Sequence, residues 1–329
     1  MRATKEEFTS QFLKILYDNK NIVVALTDKC NFKCVHCQQG QGYGIVFDEG
    51  TMSKNLIDQI INNIYDDGFC ICLCGGEAML KPDLVEYITI KAHTKKCKVI
   101  IGTNGFWYNN KELINLIKKI KPEYIRLSVD IFHQEFVSLD NLQELINNFE
   151  DSEVKIFGGS IYNYECAPGQ EEKFNSLKLL QEVTPCVYFG NAHKFLKEKE
   201  ILKPNQYVFC RGSGIVIFPD GNIFMECEME SHGCFLGNIK DTKFIDLIPK
   251  LKKSRPFYYI QPGENINNIY EICKRDKHHV LDNKWNMNSI SKNQMGNSFL
   301  YKAIHSNIYA YSIQEIHDYY DPFYSNIVR

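Results

Sequence analysis

The feature that most constrains this chain is a repeated alternation of short β-branched runs with amphipathic helical stretches, from residue 22 to about residue 195. Six strand-then-helix units in series predict parallel strands joined by right-handed crossover connections. Such a series fits an open doubly wound sheet or a (β/α) barrel, and in both architectures ligands bind at the carboxyl ends of the strands. The predicted strands are residues 22–26, 69–74, 99–102, 124–129, 154–157 and 186–189, with a helix over 171–183 before the sixth.

The chain changes character beyond residue 195, where the alternation stops. Two β-branched runs, 215–218 and 223–225, flank the turn-forming segment Pro219-Asp220-Gly221-Asn222 and predict a β-hairpin. We therefore expect four parts: a leading helix in residues 1–20, an α/β domain in 21–195, a small α+β extension in 196–275 and a helical tail in 276–329.

Composition excludes several functional classes. The 38 Lys and Arg residues nearly balance the 40 Asp and Glu residues, which argues against a nucleic-acid binder held mainly by phosphate contacts. The sequence has neither an apolar run long enough for a membrane helix nor a secretory signal in residues 1–20, so we predict a cytoplasmic protein. Thirteen cysteines in a reducing compartment predict metal or redox ligands mixed with buried side chains rather than disulfides.

A cysteine triplet follows the first predicted strand. Cys30, Cys34 and Cys37 have the spacing C-x3-C-x2-C. Three thiolates do not complete a four-ligand zinc site, but they can hold three irons of a [4Fe–4S] cluster and leave the fourth iron open to a small molecule. A zinc site that includes these residues, or a chance grouping, is the alternative.

The triplet resembles the motif of the radical S-adenosylmethionine (SAM) superfamily, in which an aromatic residue precedes the last cysteine. His36 holds that position. The resemblance implies a partial (β/α)6 TIM-like barrel rather than an open sheet, with a [4Fe–4S] cluster and SAM as cofactors. After the second predicted strand, Gly75-Gly76-Glu77 is similar to the segment that binds the amino group of SAM.

The same resemblance implies further SAM contacts at the ends of the third and fourth predicted strands. Thr103 and Asn104, and likewise Ser128 and Asp130, match positions that bind the ribose and carboxylate of SAM in relatives. These residue types are also typical of helix caps and turns, which is the alternative interpretation.

A second group of cysteines surrounds the predicted hairpin. Its pattern, with the later segment Leu236-Gly237-Asn238-Ile239, resembles the SPASM and twitch extensions that bind an auxiliary [4Fe–4S] cluster in this superfamily. The gap between Gly221 and Cys227 is one residue longer than is usual in these extensions, and the later cysteine array of SPASM domains is absent. We therefore expect one auxiliary cluster rather than the two of a full SPASM domain. Its candidate ligands are Cys210, Cys227, Cys234 and Cys273. A zinc site, or buried inert cysteines, at these positions is the alternative.

Four residues are candidates for the reaction itself. Cys234 or Cys186 is a candidate free thiol that donates a hydrogen atom to a carbon radical. His133 and Glu135 follow the fourth predicted strand and are candidates for proton transfer or substrate binding, or else ordinary polar loop residues.

The resemblance implies an enzyme that reductively cleaves SAM and takes a hydrogen atom from its substrate. A ribosomally synthesised peptide is the first expected substrate, with epimerisation or cross-linking as the outcome and flavodoxin or ferredoxin as electron donor. A dehydrogenase of small molecules, or a maturase of another protein, is the alternative within catalysis. An iron–sulfur electron carrier and a zinc-binding module are the alternatives outside it.

Overall fold

A sheet of nine strands organises the part of the chain that the computed structural model describes, namely residues 20–37, 50–162, 174, 176–179, 181–185, 214–225 and 235–253. In chain order, strands β1 to β9 are Asn21–Thr27, Cys70–Gly75, Lys98–Thr103, Tyr124–Ser128, Lys155–Tyr162, Gln181–Pro185, Gly214–Ile217, Asn222–Met225 and Phe235–Asn238. Helices α1 to α5 are Lys54–Asn63, Pro82–Thr94, Lys111–Ile120, Leu139–Asn147 and Phe244–Lys253. A 3-10 helix, Ala78–Leu80, follows β2.

The order of strands across the sheet is β6-β5-β4-β3-β2-β1-β7-β8-β9. Strands β1 to β6 are parallel neighbours in sequence order, which confirms the predicted partial (β/α)6 barrel. The sheet is not closed, because β6 and β9 are its edges. On its other side β1 pairs in parallel with β7, where Ile22 lies opposite Ile215. The predicted hairpin of β7 and β8 is also confirmed, and it continues this same sheet.

Polar caps explain where the helices begin. Ser53 Oγ accepts a hydrogen bond from the Leu56 N–H at 3.2 Å, and Ser138 caps α4 in the same way. Asn110 caps α3, and Pro82 takes the first position of α2, where its missing N–H costs nothing. A cap of this kind contributes about 1 kcal/mol. No helix within the described ranges is long and apolar enough to span a bilayer.

The main hydrophobic core lies between the helices and the outer face of the sheet. In β1 its members are Ile22, Val24 and Leu26, all fully buried. The alternate residues Val23 and Ala25 belong to a smaller cluster on the inner face, together with Val216 and Phe218 and with Cys72 and Cys74 packed against them. The period of two along each strand thus separates a helix-covered face from an inner face that leads to the carboxyl-end loops.

Helix α5 fastens the hairpin to the barrel. Its first residue, Phe244, is fully buried, and its ring lies 6.5 Å from that of Phe69, measured between centroids. The Phe244 N–H donates to Asn63 Oδ1, at the end of α1, at 3.1 Å. The hairpin and α5 therefore share the core of the barrel.

One predicted helix is contradicted at its carboxyl end. Residues 181–183, predicted as helix, belong to strand β6, Gln181–Pro185, whereas residues 186–189, predicted as the sixth strand, lie outside the described residues. Strand β6 pairs with β5, Ser160 lying opposite Val183, and backbone pairing with a neighbouring strand outweighs its weak helical pattern. The helices predicted in residues 1–20 and 276–329 lie outside the described residues, apart from residue 20.

Candidate active site

The cysteine triplet lies in the loop that leaves the carboxyl end of β1. At the base of this loop the Asp28 N–H donates to Gly50 O at 2.9 Å, which ties the loop to the segment that leads into α1. Farther along, the Cys37 N–H donates to Cys34 O at 3.2 Å and closes a turn. Backbone hydrogen bonds therefore hold the base of the loop and close the turn from Cys34 to Cys37.

The thiols of the triplet are close enough to act on one another electrostatically. Cys34 is 6% exposed, whereas Cys30 and Cys37 are half-buried. Burial, with the nearby charges of Glu77 and Cys37, raises the pKa of Cys30 to about 11. Burial and then the charges of the other two cysteines raise the pKa of Cys34 further above its ordinary value. A bound cationic metal would offset this repulsion, because it stabilises thiolates that burial and mutual charge disfavour.

Amide groups surround the sulfur of Cys30. The Phe32 N–H lies 3.4 Å from this sulfur, and Asn104 Nδ2 lies 3.9 Å from it. Asn104 Nδ2 also donates to Asn31 Oδ1 at 3.0 Å. The loop after β3 therefore contacts the triplet loop through the side chain of Asn104. The two N–H groups near Cys30 Sγ can donate hydrogen bonds to this sulfur when it is a thiolate.

Gly75 and Gly76, after β2, pack directly against the base of the triplet loop. A Cβ on Gly76 would collide with Lys29 O, and one on Gly75 would collide with Thr27 O. Gly75 also has φ of +128°, which L side chains rarely adopt. The Gly76 N–H donates to Thr27 O at 2.7 Å. These glycines are therefore needed for the close approach of two loops.

Glu77 ties the loop after β2 to the loop after β3. Its carboxylate is buried and accepts hydrogen bonds from the Thr103 hydroxyl at 2.8 Å, the Met79 N–H at 3.0 Å and the Asn104 N–H at 2.7 Å. Burial raises the pKa of Glu77, and these hydrogen bonds oppose the rise. Thr103 in turn accepts a hydrogen bond from Trp107 Nε1 at 2.9 Å. Both carboxylate oxygens are thus engaged within the protein.

A second polar network centres on Asp130, which is 1% exposed. Its Oδ1 accepts hydrogen bonds from the His133 ring at 2.8 Å and from the Phe132 N–H at 3.1 Å. Its Oδ2 lies 3.9 Å from His36 Nε2. Burial alone would raise the pKa of Asp130, but the charge and hydrogen bonds of His133, with the charge of His36, hold it below its ordinary value.

The imidazole ring of His36 is buried and uncharged at neutral pH. It stacks on Phe132 with ring centroids 4.4 Å apart, and burial lowers its pKa to about 4. Its buried Nδ1 has no hydrogen-bond partner in the part of the chain that the structure describes. The position before the last cysteine is thus occupied by a neutral, stacked ring.

Cys34, His36 and His133 form a second grouping that can hold a metal ion, since their ligand atoms lie within 4.8 Å of one another. This set shares Cys34 with the triplet, so only one of the two metal centres can use that thiol. Three soft thiolates are typical of iron–sulfur clusters, whereas one thiolate with two imidazoles has the composition of a zinc site.

The structure places most of the predicted site residues at this one edge of the sheet. They are Cys30, Cys34, Cys37, His36, Gly75, Gly76, Glu77, Thr103, Asn104, Ser128, Asp130, His133 and Glu135. Ser128 is half-buried at the end of β4, and Glu135 is exposed but raises the pKa of Cys34 through its charge. The remaining candidates lie outside the described residues: Cys186, Cys210, Cys227, Cys234 and Cys273.

Two further residues of this site, Asn31 and Phe132, have little or no signal in the sequence. Asn31 accepts the hydrogen bond from Asn104, and Phe132 stacks on His36. Asn31 carried a weak signal, because a short amide directly after Cys30 is suited to loop hydrogen bonds. Phe132 carried none, since its partner comes from another loop.

Comparison with known protein families identifies the domain that carries this site. Residues 24–157 match the model of the Radical SAM superfamily, and this segment contains the triplet and both polar networks. The chain therefore carries a domain of the Radical SAM type in residues 24–157. This family implies a [4Fe–4S] cluster and SAM as cofactors, and the neighbouring thiols of the triplet suit the cluster.

The chain is also similar, at low identity, to curated enzymes. The chain is 24% identical over 223 residues to GTP 3′,8-cyclase of Lactiplantibacillus plantarum, covering 62% of this chain and 67% of that protein. It is 31% identical over 127 residues to Fe-coproporphyrin III synthase of Methanosarcina barkeri, covering 38% of this chain and 31% of that protein.

Solved structures of radical SAM proteins share the fold. Native anSMEcpe with bound AdoMet matches with a TM-score of 0.56 at 14% identity, covering 94% of this chain and 99% of that chain. SuiB of Streptococcus suis bound to S-adenosylmethionine matches with a TM-score of 0.51 at 15% identity, covering 74% and 69%. At these identities the likeness concerns the fold alone.

Proposed function

We propose that Cys30, Cys34 and Cys37 hold a [4Fe–4S] cluster with an open iron for SAM, and that the enzyme takes a hydrogen atom from its substrate. When bound, the cluster supplies the electron that cleaves SAM to methionine and a 5′-deoxyadenosyl radical. The supporting observation is that three thiols, whose thiolate forms would repel one another, lie near each other at the carboxyl edge of a parallel sheet, with amide donors beside Cys30.

The residues around the triplet divide into two roles in this proposal. Gly75, Gly76 and Ser128 are half-buried at the site edge, so their backbone and hydroxyl groups are the proposed SAM contacts. Glu77 and Asp130, together with Thr103, Asn104, His36 and His133, position the loops through buried hydrogen bonds and exclude water.

The cluster assignment is tested by replacing one ligand. Reconstituted wild-type protein, reduced with dithionite, is expected to release 5′-deoxyadenosine from SAM, and Cys34→Ala is expected to lose both this activity and the iron and sulfide of the cluster held by the triplet. Cys97→Ala is the matched control, because this buried cysteine follows α2 away from the site. Equal release of 5′-deoxyadenosine by Cys34→Ala and the wild type would contradict the assignment of Cys34 as a cluster ligand. Zinc in place of iron and sulfide would favour the grouping of Cys34, His36 and His133.

A ribosomally synthesised peptide is the proposed substrate, with epimerisation or cross-linking as the outcome. In support, anSMEcpe has been solved with AdoMet and the Cp18Cys peptide, and the chain matches that structure with a TM-score of 0.55, covering 94% of this chain and 98% of that chain. A small molecule is the second candidate, favoured by the similarity to the GTP 3′,8-cyclases.

Two substrate assays separate these candidates. Peptides translated from reading frames beside the gene, and GTP in parallel, are incubated with the reduced enzyme and SAM in deuterated water. Epimerisation adds one deuterium to the peptide, and cross-linking removes two hydrogens from its mass. Stimulation of 5′-deoxyadenosine release by GTP alone would overturn the peptide proposal in favour of a small molecule.

We also propose that the extension in residues 196–275 binds one auxiliary [4Fe–4S] cluster through Cys210, Cys227, Cys234 and Cys273, and that Cys186 or Cys234 serves as a hydrogen-atom donor. Flavodoxin or ferredoxin is the proposed reductant. His133 and Glu135 remain candidates for proton transfer. Iron analysis tests the auxiliary cluster: Cys210→Ala should lose about four irons per chain while 5′-deoxyadenosine release persists. Equal iron in both proteins would contradict it.

A further inference from the structure

A second set of metal ligands lies beside the cysteine triplet and shares one thiol with it. Cys34, His36 and His133 bring one sulfur and two imidazole nitrogens within 4.8 Å of one another. Cys34 and His36 are buried, and His133 is half-buried. In a tetrahedral zinc site such ligand atoms lie about 3.5 Å apart, so side-chain movements of about 1 Å would close the three around an ion.

The carboxylate of Asp130 holds both imidazole rings from behind. Its Oδ1 lies 2.8 Å from His133 Nδ1, and its Oδ2 lies 3.9 Å from His36 Nε2. The other nitrogen of each ring is left for a ligand, and His36 Nδ1 is buried with no hydrogen-bond partner among the described residues. A carboxylate behind a histidine is typical of zinc sites, because it fixes the orientation of the ring and raises the basicity of the ligating nitrogen. A bound ion would also satisfy the buried nitrogen of His36.

The charges around these ligands suit a divalent cation. A thiolate at Cys34 and the ionised carboxylate of Asp130 would together balance the charge of the ion, and the exposed Glu135 adds a further negative charge near Cys34. One thiolate with two imidazoles has the composition of a zinc site that keeps its fourth position for water. The same ligands bind zinc more tightly than ferrous iron, so zinc is the ion that this set favours.

We propose that the cluster-free protein binds one Zn²⁺ through Cys34, His36 and His133, and that this ion blocks assembly of the [4Fe–4S] cluster. Binding releases the thiol proton of Cys34 to the solvent and involves no oxidation or reduction. The blocking role rests on the proposed function, because Cys34 is also a proposed cluster ligand and can serve one centre at a time. Zinc would therefore hold the enzyme inactive until iron and sulfide displace it.

Zinc binding to the cluster-free full chain, measured in competition with a chromogenic chelator, tests the site. The wild type should bind one zinc ion more than His133→Asn, whose side-chain amide keeps a donor for Asp130 but has no second ring nitrogen. His36→Phe keeps a ring to stack on Phe132 and should lose the same ion. Cys30→Ala is the matched control, because it removes a thiol of the triplet that the zinc site does not use. It should bind as much zinc as the wild type does.

The opposite pattern would overturn the proposal. Zinc held by the three thiols of the triplet would be lost in Cys30→Ala and retained in His133→Asn. Equal zinc in the wild type, His133→Asn and His36→Phe would likewise refute the site. Circular dichroism of each variant shows whether a loss of zinc reflects a loss of fold.

Cluster assembly tests the blocking role. Zinc added before reconstitution, at the concentration that fills the site lost in His133→Asn, should lower the iron and sulfide taken up by the wild type and leave the uptake by His133→Asn unchanged. Equal loss in both proteins, or no loss in either, would refute the blocking role. A wild type that lacks this zinc ion but releases 5′-deoxyadenosine after reconstitution would refute the zinc site and leave the proposed function standing. Zinc binding without 5′-deoxyadenosine release by zinc-free, reconstituted wild type would do the reverse.

Discussion

Glu77 Oε2 accepts a hydrogen bond from the Asn104 N–H at 2.7 Å, and this bond joins the loops that leave β2 and β3. Because Glu77 faces two backbone donors and a hydroxyl, Glu77→Gln would turn an amide N–H₂ toward a donor. We expect this variant to lower the free energy of unfolding by about 1–3 kcal/mol, measured by urea denaturation. SAM affinity should fall with it. Unchanged stability with lost SAM binding would instead mean that Glu77 contacts SAM directly.

Gly76→Ala tests the packing of the Gly75-Gly76 segment against the triplet loop. The added methyl group would collide with Lys29 O, so the triplet loop must shift. We expect a large loss of iron and sulfide per chain after reconstitution, with the sheet intact by circular dichroism. Gly159→Ala is the control, since its methyl group meets only a flexible side chain and should leave the cluster content at the wild-type level. Equal cluster content in Gly76→Ala and Gly159→Ala would show that the turn does not position the cysteines.

Asp130 gives a pH-dependent contribution to stability. Its pKa in the folded protein is below the ordinary value of 3.8, so the contribution is present above that pH and is lost as the pH falls through the folded pKa. Asp130→Asn should lower the free energy of unfolding by about 1–3 kcal/mol at pH 7. The difference from the wild type should shrink below pH 4 in urea titrations.

Asp58→Asn is the comparison for that experiment. Asp58 also has a lowered pKa, caused first by its hydrogen bonds to Lys91 and Tyr87, but its ion pair lies at the surface. Exposed pairs contribute little, so this variant should change stability less than Asp130→Asn. A difference between Asp130→Asn and wild type that stays constant with pH would assign the effect to shape rather than charge.

Iron binding by the empty protein should strengthen as the pH rises. The pKa of Cys30 is about 11, and that of Cys34 is also raised, so these thiols are protonated at pH 7 and must release protons to bind metal. Competition with a chelator at pH 7, 8 and 9 should show an increase of up to about tenfold per pH unit for each thiol released. A constant affinity over this range would mean that the thiolates are already present in the empty loop.

Local patterns in the sequence were sufficient for much of the fold. The alternation of β-branched runs with helical stretches predicted the parallel strands from β1 to β5, and the turn segment Pro219-Asp220-Gly221-Asn222 predicted the hairpin of β7 and β8. Residues 181–183 of β6 were wrongly predicted as helix, because pairing with β5, rather than their own pattern, decides their conformation.

The sequence also predicted that the polar residues after the strands would lie at one edge of the sheet, but not which of them would bond to one another. Glu77 and Asp130 follow strands, which predicted that both would lie near the ligand. That their oxygens would be engaged by Thr103 and His133 depends on loops from different strands and has no local signal.

The pairing of Ile22 with Ile215 has a consequence for synthesis of the chain. The triplet loop follows β1. During translation β1 has β2 on one side only, so its other edge stays unpaired until β7 has been synthesised. Open edges of parallel sheets are slow to pair and prone to aggregate. Truncations that stop before residue 214 should therefore express as insoluble chains, and iron delivered during translation meets a loop whose supporting strand is not yet in place.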